Sequence, residues 1–91
     1  MSSPIQRKEA ELLQMNTIQS GDLLVWTVYE RPTDYPDHYI ARPFATRGGE
    51  RPLQVHLQAP SVEELRDKLP HGLVRLERME GDDPVIVETW L

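Results

Sequence analysis

No cysteine occurs in the 91 residues, so neither a disulfide framework nor a thiolate metal site is available, and the chain suits a reducing compartment. Long apolar runs are missing too. The longest, Leu23 to Val28, is broken by Thr27, and Met1 to Gln14 carries Arg7, Lys8, Glu9 and Glu11 with no apolar stretch of signal-peptide length. Neither a secretion signal nor a membrane span is expected, and a cytoplasmic setting is. Positive charge is also short: ten Lys and Arg against fifteen Asp and Glu give a net charge of −5, which repels nucleic acid unless the basic residues cluster. They do not. Residues 31 to 51 are near neutral, and residues 77 to 91 set Arg78 against Glu77, Glu80, Asp82, Asp83 and Glu88.

Several chemistries lack their residues. His38, His56 and His71 are the only histidines and none stands at metal-ligand spacing, so three surface or loop histidines are expected and no metal. There is no Gly-x-Ser-x-Gly elbow for nucleophilic catalysis. Gly48-Gly49 has no following lysine to make a phosphate cradle and reads as a turn. Glu80-Gly81-Asp82-Asp83-Pro84 lacks the alternating ligands of a calcium loop and reads the same way. No cofactor is expected.

What remains fits one small globular domain: 38% hydrophobic and 27% charged residues can build one thin core. Residues 1–20 form a leader, helix or tail, in which Ser3 and Pro4 have the residue types of an N-cap and first-turn proline. Residues 21–91 form an α+β domain. Leu23 to Glu30 is dense in β-branched and aromatic residues and apolar on both faces, as a central strand covered on two sides would be. A loop with Pro32 and Pro36 leads to a second strand near His38 to Thr46, whose Pro43 assigns it to an edge or a bulge. A third, Leu53 to Ala59, alternates, with Gln54, His56 and Gln58 expected outward and wet. Ser61-Val62-Glu63-Glu64 is a capping box opening a helix over residues 61–69, stopped by Pro70 and Gly72. Leu73 to Met79 and Val85 to Leu91 read as two closing strands. The expected architecture is a mainly antiparallel sheet of four or five strands in the order β-β-β-α-β-β.

A mismatch of scale follows. A helix of that length spans about 13 Å, whereas five strands spaced by ~4.8 Å make a sheet some 20 Å across. The uncovered apolar surface calls for the leader, for aromatic side chains from the loop, or for a second copy of the chain, and a homodimer is the favoured expectation.

The densest polar and aromatic segment runs from Tyr29 to Tyr39. Arg31, Asp34, Tyr35, Asp37, His38, Tyr39 and Arg42 are the candidate binding surface, for a protein partner or, in a rival reading, for a small enzyme or ligand binder built on His38, Asp34, Tyr35 and Arg42. Asp37 could charge the His38 imidazole, but neighbours on extended backbone point to opposite sides. The competing reading is a proline-ordered loop whose tyrosines pack on the sheet. The Arg-Pro pairs at Arg31, Arg42 and Arg51 offer guanidinium groups to an anionic partner or serve as solvated strand-edge charges. No catalytic residue is assigned.

Trp26-Thr27-Val28-Tyr29, Asp34-Tyr35-Pro36-Asp37, Ala59-Pro60-Ser61 with its helix, and Gly81 to Trp90 resemble a family of small uncharacterised bacterial proteins. The resemblance implies a bacterial, cytoplasmic protein and brings no activity. Three strands followed by a helix opened by Ser-Val-Glu-Glu-Leu also resemble, in topology, the HicB-type antitoxin domain, which implies binding a small toxin partner. The chain departs from that pattern where its helix stops at Pro70 and no DNA-binding element follows.

Overall fold

The computed structural model describes residues 2–91, which fold as a small α+β domain of two helices and one mixed sheet. The elements are β1 (Ser3–Pro4), α1 (Arg7–Gln19), β2 (Leu24–Glu30), β3 (Tyr39–Ala45), β4 (Arg51–Pro52), β5 (Val55–Ala59), α2 (Val62–Lys68), β6 (Arg75–Glu77) and β7 (Ile86–Trp90). The sheet has seven strands rather than the expected four or five. Its order is β1-β5-β3-β2-β7-β6, with β4 pairing beside β5 on β3. The extra strands are two-residue pieces with no hydrophobic period of their own, and tertiary hydrogen bonds define them.

The leader supplies one of these pieces. Ser3 and Pro4 do not cap a helix: the Ser3 amide donates to the Gln54 carbonyl at 3.0 Å and the Ile5 amide to the His56 carbonyl at 2.8 Å, so β1 joins β5 as the sheet's parallel pair. The helix starts later, with Gln6 as N-cap and the Glu9 carboxylate accepting from the Gln6 amide at 3.2 Å. It packs Ala10 into the core beside Leu24, Trp26, Val28, Ala41, Leu57, Ala59, Leu65 and Leu69. The second helix begins where its signature lies. Ser61 is the N-cap and its hydroxyl accepts from the Glu64 amide at 3.2 Å, while the Glu64 carboxylate accepts from that same hydroxyl instead of from the Ser61 amide.

β2 is central, paired antiparallel with β3 and with β7. Period-two alternation sends Leu24, Trp26 and Val28 to one face, where both helices pack and all three are fully buried. Val25, Thr27 and Tyr29 point to the other face. No helix lies there, and the three are only half-buried. Register carries this division across the sheet: Phe44, Arg42 and Ile40 stand opposite Val25, Thr27 and Tyr29, and Thr89 and Ile86 stand opposite Thr27 and Tyr29.

Candidate functional site

The residues of the Tyr29 to Tyr39 segment divide between the two faces. Backbone turns order the connection: Tyr35 donates to the Pro32 carbonyl at 2.8 Å, His38 to the Tyr35 carbonyl at 3.2 Å, and Arg31 to the His38 carbonyl at 3.0 Å. Closing that ring forces Arg31 to φ 43°, the left-handed region that L-residues with a Cβ disfavour. Tyr39 goes to the helix-covered face, packs on the core and donates its hydroxyl to Glu30 at 3.1 Å, which pushes its pKa up. Asp34, Tyr35 and Arg42 go to the open face. The Arg42 Nη2 lies 2.6 Å from Asp34, and its guanidinium stands 5.2 Å over the Tyr29 ring. Burial raises the Tyr29 pKa, and Arg42 opposes that rise.

Asp34, Tyr35 and Arg42 meet Ser2, Pro52, Leu53 and Gln54 around an open hollow of about 500 Å³. Asp37 and His38 do not line it, and their side chains make no hydrogen bond with each other. The Arg42 charge is already matched by Asp34, so the hollow offers no net pull on an anion. Arg51 is likewise engaged, at 2.5 Å from Asp22. The Asp22 carboxylate gathers the amides of Leu23, Thr46 and Arg47 at 2.8, 3.2 and 2.7 Å, tying the start of β2 to the Gly48-Gly49 turn. Two of the three Arg-Pro guanidiniums are therefore paired within the chain, Arg42 with Asp34 and Arg51 with Asp22, while both still reach solvent.

The alternation of the third strand expected from the sequence puts His56 on a wet face. It is fully buried: Tyr35 covers it, ring centroids 4.8 Å apart, and Ser2 Oγ lies 2.7 Å from its Nδ1. Its Nε2 stands 3.0 Å from Gln58 Oε1. With Nε2 donating to Gln58, Nδ1 accepts from the Ser2 hydroxyl, a serine and base within reach of each other. The third partner is an amide and not a carboxylate, so a buried imidazolium formed by taking the Ser2 proton would have no counter-charge from it. The arrangement pins the leader to β5. Its signals, Tyr35 and Ser2, lie far from His56 in the chain, which is why the local alternation missed them.

In the sequence Glu88 is one of several acidic residues near the C-terminus. It is buried on the helix-covered face, where its carboxylate accepts from Arg66 Nε and Nη2 at 2.9 and 2.6 Å and from Trp90 Nε1 at 2.7 Å. It anchors α2 to β7.

Exposed apolar side chains of the sheet gather elsewhere, at its β6 end. Val74 exchanges both backbone hydrogen bonds with Leu91, and register places Val74, Leu76 and Leu91 on the face without helices. All three are exposed, as are Leu23 and Met79. The opposite edge is different: its short strands carry Pro4 and Pro52, which cannot donate to another strand. Three of the candidate residues thus share a hollow, and a separate apolar strip ends at an edge without proline.

No group of three or more His, Cys, Asp or Glu side chains among the described residues is placed to hold a metal ion, and none of their helices is long and apolar enough to cross a membrane. No family model, curated protein or solved structure matches the chain.

Proposed function

We propose that the chain is a cytoplasmic, non-catalytic interaction module that works as a pair of copies joined through the sheet. The observation that carries this reading is the one-sided placement of α1 and α2, which leaves Val74, Leu76 and Leu91 exposed on the other face at the β6 end. Apolar side chains in one patch at a strand edge are what strand addition or sheet packing would bury. A small domain with a thin core gains most from such burial. Sedimentation equilibrium from micromolar to millimolar protein tests it: mass should rise toward that of two chains. A single-chain mass throughout would leave the sheet to a foreign partner, such as the small toxin implied by the HicB-type resemblance, and would end the self-association reading.

A second reading is supported by the hollow between Asp34, Tyr35 and Arg42. It would hold a small polar ligand, with Tyr35 as a flat wall and the Asp34–Arg42 pair as paired acceptor and donors. Chemical-shift changes confined to residues 34, 35, 42 and 52–54 in a fragment screen would support it, and their absence would remove it.

A further inference from the structure

We propose that two copies join by antiparallel pairing of β6 with β6, in the single register centred on Leu76. This deepens the self-association reading and rests on it. β6 is the outermost strand on its side of the sheet and is exposed along its length. Because Val74 and Leu91 exchange both of their hydrogen bonds, the alternate residue Leu76 also turns its amide and carbonyl toward β7. Arg75 and Glu77 then turn theirs to the open edge. The edge therefore presents two donors and two acceptors spaced for another antiparallel strand.

A two-fold axis perpendicular to the sheet keeps each side chain on its own face, so it can pass only between a residue and its own copy. Three registers use this strand. Centring on Arg75 sets Arg75 against Arg75, and centring on Glu77 sets Glu77 against Glu77. Directly opposed like charges are unfavourable. Centring on Leu76 sets Arg75 opposite Glu77 of the second copy, twice by symmetry. It also pairs the outward backbone groups of the same two residues.

Charges on an edge strand ordinarily discourage pairing. Here their alternation around Leu76 discourages two registers and favours the third. Leu76 would meet Leu76 across the axis on the helix-free face, and the strips of Val74, Leu76 and Leu91 from both copies would become continuous. The proline-bearing far edge has no equivalent. Packing face to face would instead oppose the acidic Glu50 and Asp82 that border the helix-free hollow over Thr27 and Tyr29.

The test uses charge exchange in the full chain. Arg75→Glu and Glu77→Arg should each weaken self-association by roughly tenfold or more, since each puts like charges opposite one another at both symmetric contacts. An equimolar mixture of the two variants should associate at least as well as the unaltered chain, because every cross-strand contact then pairs opposite charges. That recovery also shows both variants to be folded. Independently, Leu76→Cys supplies the only thiol in the chain. It should form a disulfide-linked dimer under mild oxidation, because facing residues in a non-hydrogen-bonded pair lie within disulfide reach. Leu23→Cys, on the same face but away from β6, should not. If the unaltered chain dimerises while the charge variants behave like it and only Leu23→Cys cross-links, the β6 register is overturned and sheet self-association stands. If the unaltered chain dimerises but the mixture does not recover and Leu76→Cys does not cross-link, the register falls; if the unaltered chain keeps a single-chain mass at every concentration, both fall.

Discussion

Gln14 Oε1 accepts the indole N–H of Trp26 at 2.9 Å inside the core, and this bond fastens α1 to the central strand. A large aromatic on β2 with one polar atom needs an acceptor at that atom when buried, and the helix that brings the acceptor covers the face from which Trp26 projects. The opposite face is left to loops.

Gln14→Ala should therefore cost about 1–3 kcal/mol, the penalty for a buried donor with no acceptor. Urea denaturation followed by tryptophan fluorescence measures it. A loss below a few tenths of a kcal/mol would mean that the helix is held by its apolar contacts alone.

Glu88 should make the fold sensitive to acid. Desolvation acts most strongly on its carboxyl and pushes the pKa up, but the Arg66 and Trp90 hydrogen bonds and the charges of Arg66 and Arg75 together hold it below the ordinary carboxylate range. Asp22 is lowered as well, its burial outweighed by the amides of Arg47, Leu23 and Thr46 and by Arg51. A folded pKa below the unfolded one gives stability that is complete above the unfolded value, about 4, and is lost as pH falls through the folded value. Stability should thus be level near neutrality and decline below about pH 5. Glu88→Gln should cost about 1–3 kcal/mol at neutral pH, discounted from a fully buried pair because Arg66 reaches solvent. It should also flatten the acid decline. Denaturation midpoints across pH check both, and an unchanged acid slope would refute the role of Glu88.

These two anchors show where the sequence was legible. The capping residue Ser61, the apolar strand read over Leu23 to Glu30, which forms over Leu24–Glu30, and the stop at Pro70 are local signals, and each lies where the fold uses it. The shortage of helix against sheet is readable from lengths alone, but not that both helices lie on one face: the double-sided apolar pattern of the first strand points to cover on two sides, and its Val25, Thr27 and Tyr29 are left half-buried. His56, Glu88 and the β1 strand depend on partners far away in the chain: Tyr35 and Ser2, Arg66, and the carbonyls of Gln54 and His56. Period-two alternation labels a polar residue as outward. It cannot report that a distant ring or guanidinium will close over it.

Arg31 offers a test of strain. An L-residue in the left-handed region loses about 1–2 kcal/mol, whereas introducing glycine costs about 0.4–1 kcal/mol through the unfolded chain. Arg31→Gly should then stabilise the fold by about 0.5 kcal/mol in thermal or urea denaturation. A destabilised variant would show that the Arg31 side chain contributes more than its backbone costs.

The central claim, that this sheet is completed by a second copy at β6, is tested most directly by amide hydrogen exchange as a function of protein concentration. The amides of Arg75 and Glu77, which point out of the sheet, should exchange freely in dilute solution and become protected as concentration rises, while those of β1 and β4 stay unchanged. Exchange at Arg75 and Glu77 that remains fast at every concentration would contradict it.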